Sequence, residues 1–239
     1  MPSIRKIETP GGQLALVSLR PPRTPSSQEV EGLKGWIVNN FLEENLLVYT
    51  PIPFEAFLGM RTQRHSVYGR WEICGLESVV AGKKVLDVGT NCGADALLAA
   101  ICGAKSVTAI DQFPRYIHVV NELAKMYGYE NIEARVQRFE DVNFEEEKYD
   151  VIIAFSVFNN VCAKSGFEAL KSLLGRIAKC TGVLFVENGV DDVKWVAWET
   201  EVPQALQESG FRSVELLGKT FATHIGRDRY LWRCVGARA

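Results

Sequence analysis

The chain has 239 residues, with 27 basic and 29 acidic side chains, a net charge of −2 and 47% hydrophobic residues. These values suit one α/β domain with a sizeable core plus an extension, and they exclude a polybasic binder. No apolar run approaches the ~20 residues that a membrane-spanning helix needs.

The opening, MPSIRKIETPGG, has no charged region followed by an apolar core, so no secretory signal is read and a cytoplasmic location is expected. An initial extended segment leads into the Pro/Ser-rich stretch PPRTPSS at residues 21–27. Beyond it Val30, Leu33, Ile37, Phe41 and Leu42 recur at helical spacing, predicting a helix over 28–47 that packs on the main domain. Residues 49–71 mix prolines and aromatics with Arg61, Arg64 and Arg70. That composition reads as an irregular segment with a short helix, suited either to covering a cleft or to plain connection.

From Lys83 onward strands alternate with helices, the pattern of a parallel sheet with right-handed crossovers. Strands are predicted at 85–88, 106–110, 132–137, 150–155, 183–186, 213–217 and 230–235, and helices at 94–102, 114–127, 166–179 and 202–209. Pro114 sits where a helix start tolerates a missing donor, and Gly103, Gly128 and Gly210 follow helix ends. The last two strands leave no room for a crossover helix, so they should form a hairpin and the final strand should run antiparallel. Six cysteines (Cys74, Cys92, Cys102, Cys162, Cys180, Cys234) show no C-x-x-C and no paired Cys/His spacing, so reduced thiols in or near the core are expected and no metal is.

The stretch KKVLDVGTNCGADALLAA, residues 83–100, carries the chemistry. A β-branched run that ends in Asp and Gly, turns tightly and enters an Ala/Leu helix is the first βα unit of a nucleotide-binding α/β domain. Its loop, Gly89-Thr90-Asn91-Cys92-Gly93, fails the dinucleotide fingerprint G-x-G-x-x-G, because Asn91 and Ala94 stand where the second and third glycines belong.

Residues 83–238 resemble instead the class I S-adenosylmethionine (SAM) dependent methyltransferases. Asp87, Gly89 and Gly93 match the family's loop, Asp111 its acid at the second strand end, and Glu140 or Asp141 its acid after the third. Asn91 departs from the glycine of many members, although Asn tolerates the left-handed turn. Within the family, YGRWEICGLESVVAGKKVLDVGTNCG (68–93) and FSVFNN (155–160) are most similar to tRNA wobble-uridine methyltransferases and their small-molecule-modifying relatives.

The resemblance implies a Rossmann-like α/β fold with a seven-stranded, mostly parallel sheet, a C-terminal antiparallel hairpin strand and an N-terminal helical extension. It divides the chain into residues 1–80, extension and lid, and 81–239, a SAM-binding methyltransferase domain. Gly89, Thr90, Asn91 and Gly93 then cradle the amino-acid part of the cofactor, and Asp87 accepts from its ammonium directly or through water. Asp111, with Gln112 beside it, receives the ribose hydroxyls; Glu140 or Asp141 reaches the adenine amino group; Phe155 and Ser156 line the same site.

Methyl transfer is an in-line displacement at a sulfonium, so the site must align the acceptor, exclude water and remove a proton from an O–H or N–H. His224, in the hairpin loop, is either the general base, since an unperturbed imidazole titrates near neutrality, or a surface residue, and His65 is a second candidate of the same standing from the lid side. Asn159, with Asn160, either orients the acceptor or shapes a turn. Arg61, Arg64, Arg227 and Arg229 are solvated or bind a substrate anion, and Trp195 and Trp198 wall an acceptor or pack on the core. Three functions are compatible with these residues: methylation of O or N on a small molecule with an acidic or aromatic part, RNA modification, or a non-enzymatic SAM-binding module. No DNA or membrane partner is expected, and oligomeric state stays open.

Overall fold

The structure, a computed structural model, describes residues 4–8, 14–43, 48–62, 68–189, 200–222 and 227–237. The chain opens with two antiparallel strands, β1 (Ile4–Glu8) and β2 (Leu14–Ser18), paired from Ile4↔Ser18 to Glu8↔Leu14. The extended segment expected here is thus a small two-stranded sheet, separate from the main one among the described residues. Helix α1 (Ser27–Glu43) comes next. A capping box fixes its start: the Glu29 N–H donates to Ser26 Oγ at 3.2 Å while the Ser26 N–H donates to Glu29 Oε2 at 2.8 Å.

A 3-10 turn (Glu55–Phe57) and two short helices, α2 (Tyr68–Cys74) and α3 (Leu76–Val79), complete the lead-in. The short helical turn expected within the irregular 49–71 segment is the 3-10 turn, and α2 begins near the segment's end and runs three residues beyond it.

The main sheet contains β3 (Lys84–Val88), β4 (Ser106–Asp111), β5 (Ile132–Val136), β6 (Tyr149–Phe155), β7 (Thr181–Gly189), β8 (Ser213–Ala222) and β9 (Arg227–Val235). Their order is β5-β4-β3-β6-β7-β9-β8, and β9 runs opposite to the other six. The terminal hairpin is as expected, but its strands are longer, reaching Ala222 and starting at Arg227.

Helices α4 (Ala94–Ile101) and α5 (Pro114–Tyr127) connect β3 to β4 and β4 to β5. Helices α6 (Phe158–Ser165) and α7 (Phe167–Cys180) come after β6, and α8 (Glu201–Glu208) after β7. Helix α6 is an addition to the expected elements, and Asn159 and Asn160, expected to orient the acceptor or shape a turn, lie in its first turn.

Strand alternation explains the two cores. On β3 and β6, Val85, Val151, Ile153 and Phe155 face one cluster with α1, α4, α5 and the lead-in. Leu86, Val88, Ile152 and Ala154 face the other cluster, with α6, α7 and α8. His118 lies on an exposed face of α5, its ring 4.3 Å from that of Trp36 on α1. All six cysteines are buried, as their apolar reading requires. No helix among the described residues is long and apolar enough to cross a membrane.

Chain connections run outward in opposite directions from β3 and β6, which lie side by side. Such a reversal opens a crevice at the carboxyl ends of the strands. Here it positions the site.

Candidate active site

A cavity of about 410 Å³ lies over the carboxyl ends of β3, β4 and β6. Gly89, Asn91, Asp111, Gln112, Glu140, Phe155, Ser156 and Asn159 all line it, so the structure brings most of the expected residues together. Asp87, Thr90, Gly93 and Asp141 do not touch it.

The loop after β3 is built on left-handed backbone. Gly89, Asn91 and Gly93 have φ of 64°, 51° and 81°. A Cβ at Gly93 would lie 2.9 Å from Val120 Cγ2, and one at Gly89 2.9 Å from Val157 Cγ2, so both positions also need the missing side chain. Asn91 holds its conformation with two bonds. Its N–H donates to Asp111 Oδ2 at 3.0 Å, and its Oδ1 accepts the Tyr49 N–H at 2.9 Å.

Asp111 ends β4 with 8% exposure. Burial raises its pKa, partly offset by the N–H groups of Phe113, Asn91 and Gln112. Oδ1 accepts from the Phe113 N–H at 3.0 Å and Oδ2 from the Asn91 N–H at 3.0 Å, so backbone donors fix the carboxylate at the cavity edge.

Glu140 is the cavity-lining member of its pair, while Asp141 is exposed in the 3-10 turn Phe139–Asp141. The Glu140 carboxylate is engaged by Arg138 and, at 3.3 Å, by Ser165 Oγ. Burial works to raise its pKa, but its own N–H, Arg138 and Ser165 outweigh this and hold it below the ordinary range.

Asp87 sits beneath the loop at 2% exposure, its Oδ2 accepting from Thr90 Oγ1 at 2.6 Å. Loss of water and the nearby Asp95 charge push its pKa up to about 8, against the lowering effects of Thr90, Arg70 and the Ala96 N–H.

A buried ionic network, unforeseen as a unit, flanks this site. Asp95, in the first turn of α4, accepts from Arg70 through Oδ2 at 2.5 Å and from Trp71 Nε1 through Oδ1 at 2.6 Å. Arg70 is 3% exposed, lies 4.8 Å from the Phe155 ring centroid and places Nη1 3.8 Å from Glu187 Oε2. Glu187, with no exposure, accepts from Ser156 Oγ at 2.7 Å and from Thr220 Oγ1 at 2.8 Å. Ser156 has φ of 60°, unusual without a glycine, which stores ~1–3 kcal/mol where β6 meets the cavity. Arg229, expected as solvated or substrate-binding, is 3% exposed yet lines the cavity, its Nη1 3.4 Å from Ser156 Oγ.

His224, His65, Arg64, Trp195 and Trp198 lie outside the described residues, as does the side chain of Arg227. Asn159, near the start of α6, is part of the cavity wall.

Residues 80–231 match the family model described as "Methyltransferase domain". The chain is 32% identical over 154 residues to the O-antigen chain terminator bifunctional methyltransferase/kinase WbdD of Escherichia coli, covering 62% of this chain and 21% of that protein. It is 33% identical over 111 residues to the demethylmenaquinone methyltransferase of Tropheryma whipplei (strain Twist), covering 45% of each. A solved structure of WbdD with the kinase inhibitor LY294002 superposes with a TM-score of 0.68 at 21% identity, covering 83% of this chain and 47% of that one. The chain thus spans less than half the length of these relatives. The failed dinucleotide pattern, the acid at the end of β4, the sheet order and the matched span converge: the chain belongs to the methyltransferase domain family, with SAM as its methyl donor.

Proposed function

We propose that the chain transfers a methyl group from SAM to an oxygen or nitrogen on a small molecule with an acidic or aromatic part. The observation that carries this is Arg229, a nearly buried guanidinium in the cavity wall beside Ser156 and Tyr49. A guanidinium so placed suits a carboxylate or phosphate, and the rings of Tyr49 and Phe155 in the same wall suit an aromatic part.

Bound SAM supplies an electrophilic methyl. The chain's residues do the rest. Asp111 and the loop from Gly89 to Gly93, with Gln112, hold the nucleoside and amino-acid ends, Asp87, bonded to Thr90 beneath the loop, acts on the ammonium through its charge from behind the cavity wall, and Glu140 takes the adenine side. Phe155 and Ser156 close the site, and Asn159 orients the acceptor. His224 is the proposed base and His65 the second candidate, both on their places in the sequence. The division into residues 1–80 as extension and lid and 81–239 as the SAM-binding domain belongs to the same proposal.

RNA modification is the weaker reading. The net charge of −2 supplies little phosphate affinity, and the two relatives are named for an O-antigen chain terminator and demethylmenaquinone, not for tRNA. Incubation with methyl-labelled SAM and a panel of small acids, phenols and tRNA tests the proposal. Label is expected on a small acid or phenol. Label on tRNA alone would overturn the small-molecule assignment.

A further inference from the structure

Asn91 is the one loop residue that departs from the glycine expected there, and its side chain is in use. Its Oδ1 accepts the backbone N–H of Tyr49 at 2.9 Å, from a residue 42 positions earlier in the chain. Tyr49 also lines the cavity, and its hydroxyl lies 3.3 Å from Ser156 Oγ at the end of β6. One residue is therefore tied at its backbone to the loop after β3 and at its phenol to the end of β6.

The segment just beyond Tyr49 is firmly seated. Thr50, Ile52 and Phe54 are 4%, 1% and 2% exposed. The Ser18 N–H donates to the Pro53 carbonyl at 2.9 Å, and the Phe54 ring stacks on Tyr127 with centroids 3.4 Å apart. The Asn91 N–H meanwhile donates to Asp111 Oδ2, so a single loop residue joins this strap to the acid expected to receive ribose. A glycine would take the φ of 51° with less strain but would offer no acceptor.

We infer that Asn91 latches the start of the 48–54 strap at the cavity wall as a positioning residue and thereby makes Tyr49 a binding residue of the SAM site. The inference rests on the reading of this cavity as that site. It turns the departure at position 91 into a device. The phenol covers the space beside Ser156, where water must be excluded during methyl transfer.

The test uses the full chain, with S-adenosylhomocysteine as the probe, in the variants Asn91→Gly, Tyr49→Ala and the double variant. Calorimetry gives affinity, and hydrogen exchange in the unliganded chain reads the Tyr49 amide, with amides of β3 and β4 as the control for folding. If Asn91 only had to adopt a left-handed turn, Gly would serve as well or better. The latch predicts instead that Asn91→Gly speeds exchange at Tyr49 by about tenfold, with the β3 and β4 amides unchanged. Each single variant should weaken the probe about five- to tenfold, and the double variant no further, because both act through one contact. Unchanged exchange at Tyr49, unchanged affinity in Asn91→Gly, or losses that multiply in the double variant would each overturn the latch. Failure of the unmodified chain to bind the probe would overturn the SAM reading itself, and the role of Tyr49 with it.

Discussion

Arg70→Met is expected to destabilise the folded chain by about 3–5 kcal/mol, the cost of leaving buried charge without its partner. Met fills comparable volume, so lost packing is a minor part. The guanidinium is 3% exposed, bonds Asp95 directly and lies 3.8 Å from Glu187. Without it Asp95 keeps the neutral Trp71 N–H, and Glu187 keeps neutral hydroxyl donors but loses this nearby cation. Urea unfolding measures the loss. A double variant with Asp95→Asn should recover part of it, since the stranded negative charge is then gone. A loss under about 1 kcal/mol, the level of an exposed pair, would contradict the account of this network.

SAM affinity is expected to fall as pH falls below neutrality. With its pKa raised to about 8, Asp87 holds a proton in the empty site at lower pH. The cofactor ammonium favours the ionised carboxylate, so binding must expel that proton. Affinity therefore rises with pH and levels off above about 8. The limiting slope is about tenfold per pH unit. The ligand's own α-amino group titrates near ~7.7–8.0, so calorimetry between about pH 5.5 and pH 7 isolates the protein's contribution. In that window repeat titrations in buffers of different ionisation enthalpy should show proton release, and Asp87→Asn should abolish it. A flat profile, or proton uptake, would show that Asp87 is already ionised before SAM arrives.

Much of the fold was legible because the sheet's core strands are covered on both faces. Runs such as KVLDV and YDVIIAF then appear as continuous apolar stretches closed by turn residues, with Ala/Leu or amphipathic segments between them. The loop and Asp111 were legible for a related reason: a Gly-bearing turn with an acid at the next strand end is a local pattern.

What escaped was tertiary. Arg70 lies in a segment rich in arginines and prolines, where the prior for an arginine is exposure, and nothing local tells that Asp95 meets it across 25 positions. Tyr49 and Thr220 are plain residue types whose partners, Asn91 and Glu187, lie 42 and 33 positions away. Periodicity puts Glu187 and Arg229 at the correct edge of the sheet. Their burial, which turns two exposed charges into a network, depends on α2 packing against β8 and β9, beyond what periodicity conveys. The choice between Glu140 and Asp141 likewise required the 3-10 turn that exposes one and aims the other at the cavity.

Calorimetry of the purified chain with SAM, S-adenosylhomocysteine and NAD in parallel, repeated on Asp111→Ala, tests the central claim most directly. The account predicts micromolar binding of both sulfur compounds, none of NAD, and a loss of more than about tenfold, or ~1.4 kcal/mol, in the variant. Binding of NAD in place of the sulfur compounds, or affinity for SAM that survives the loss of Asp111, would contradict it.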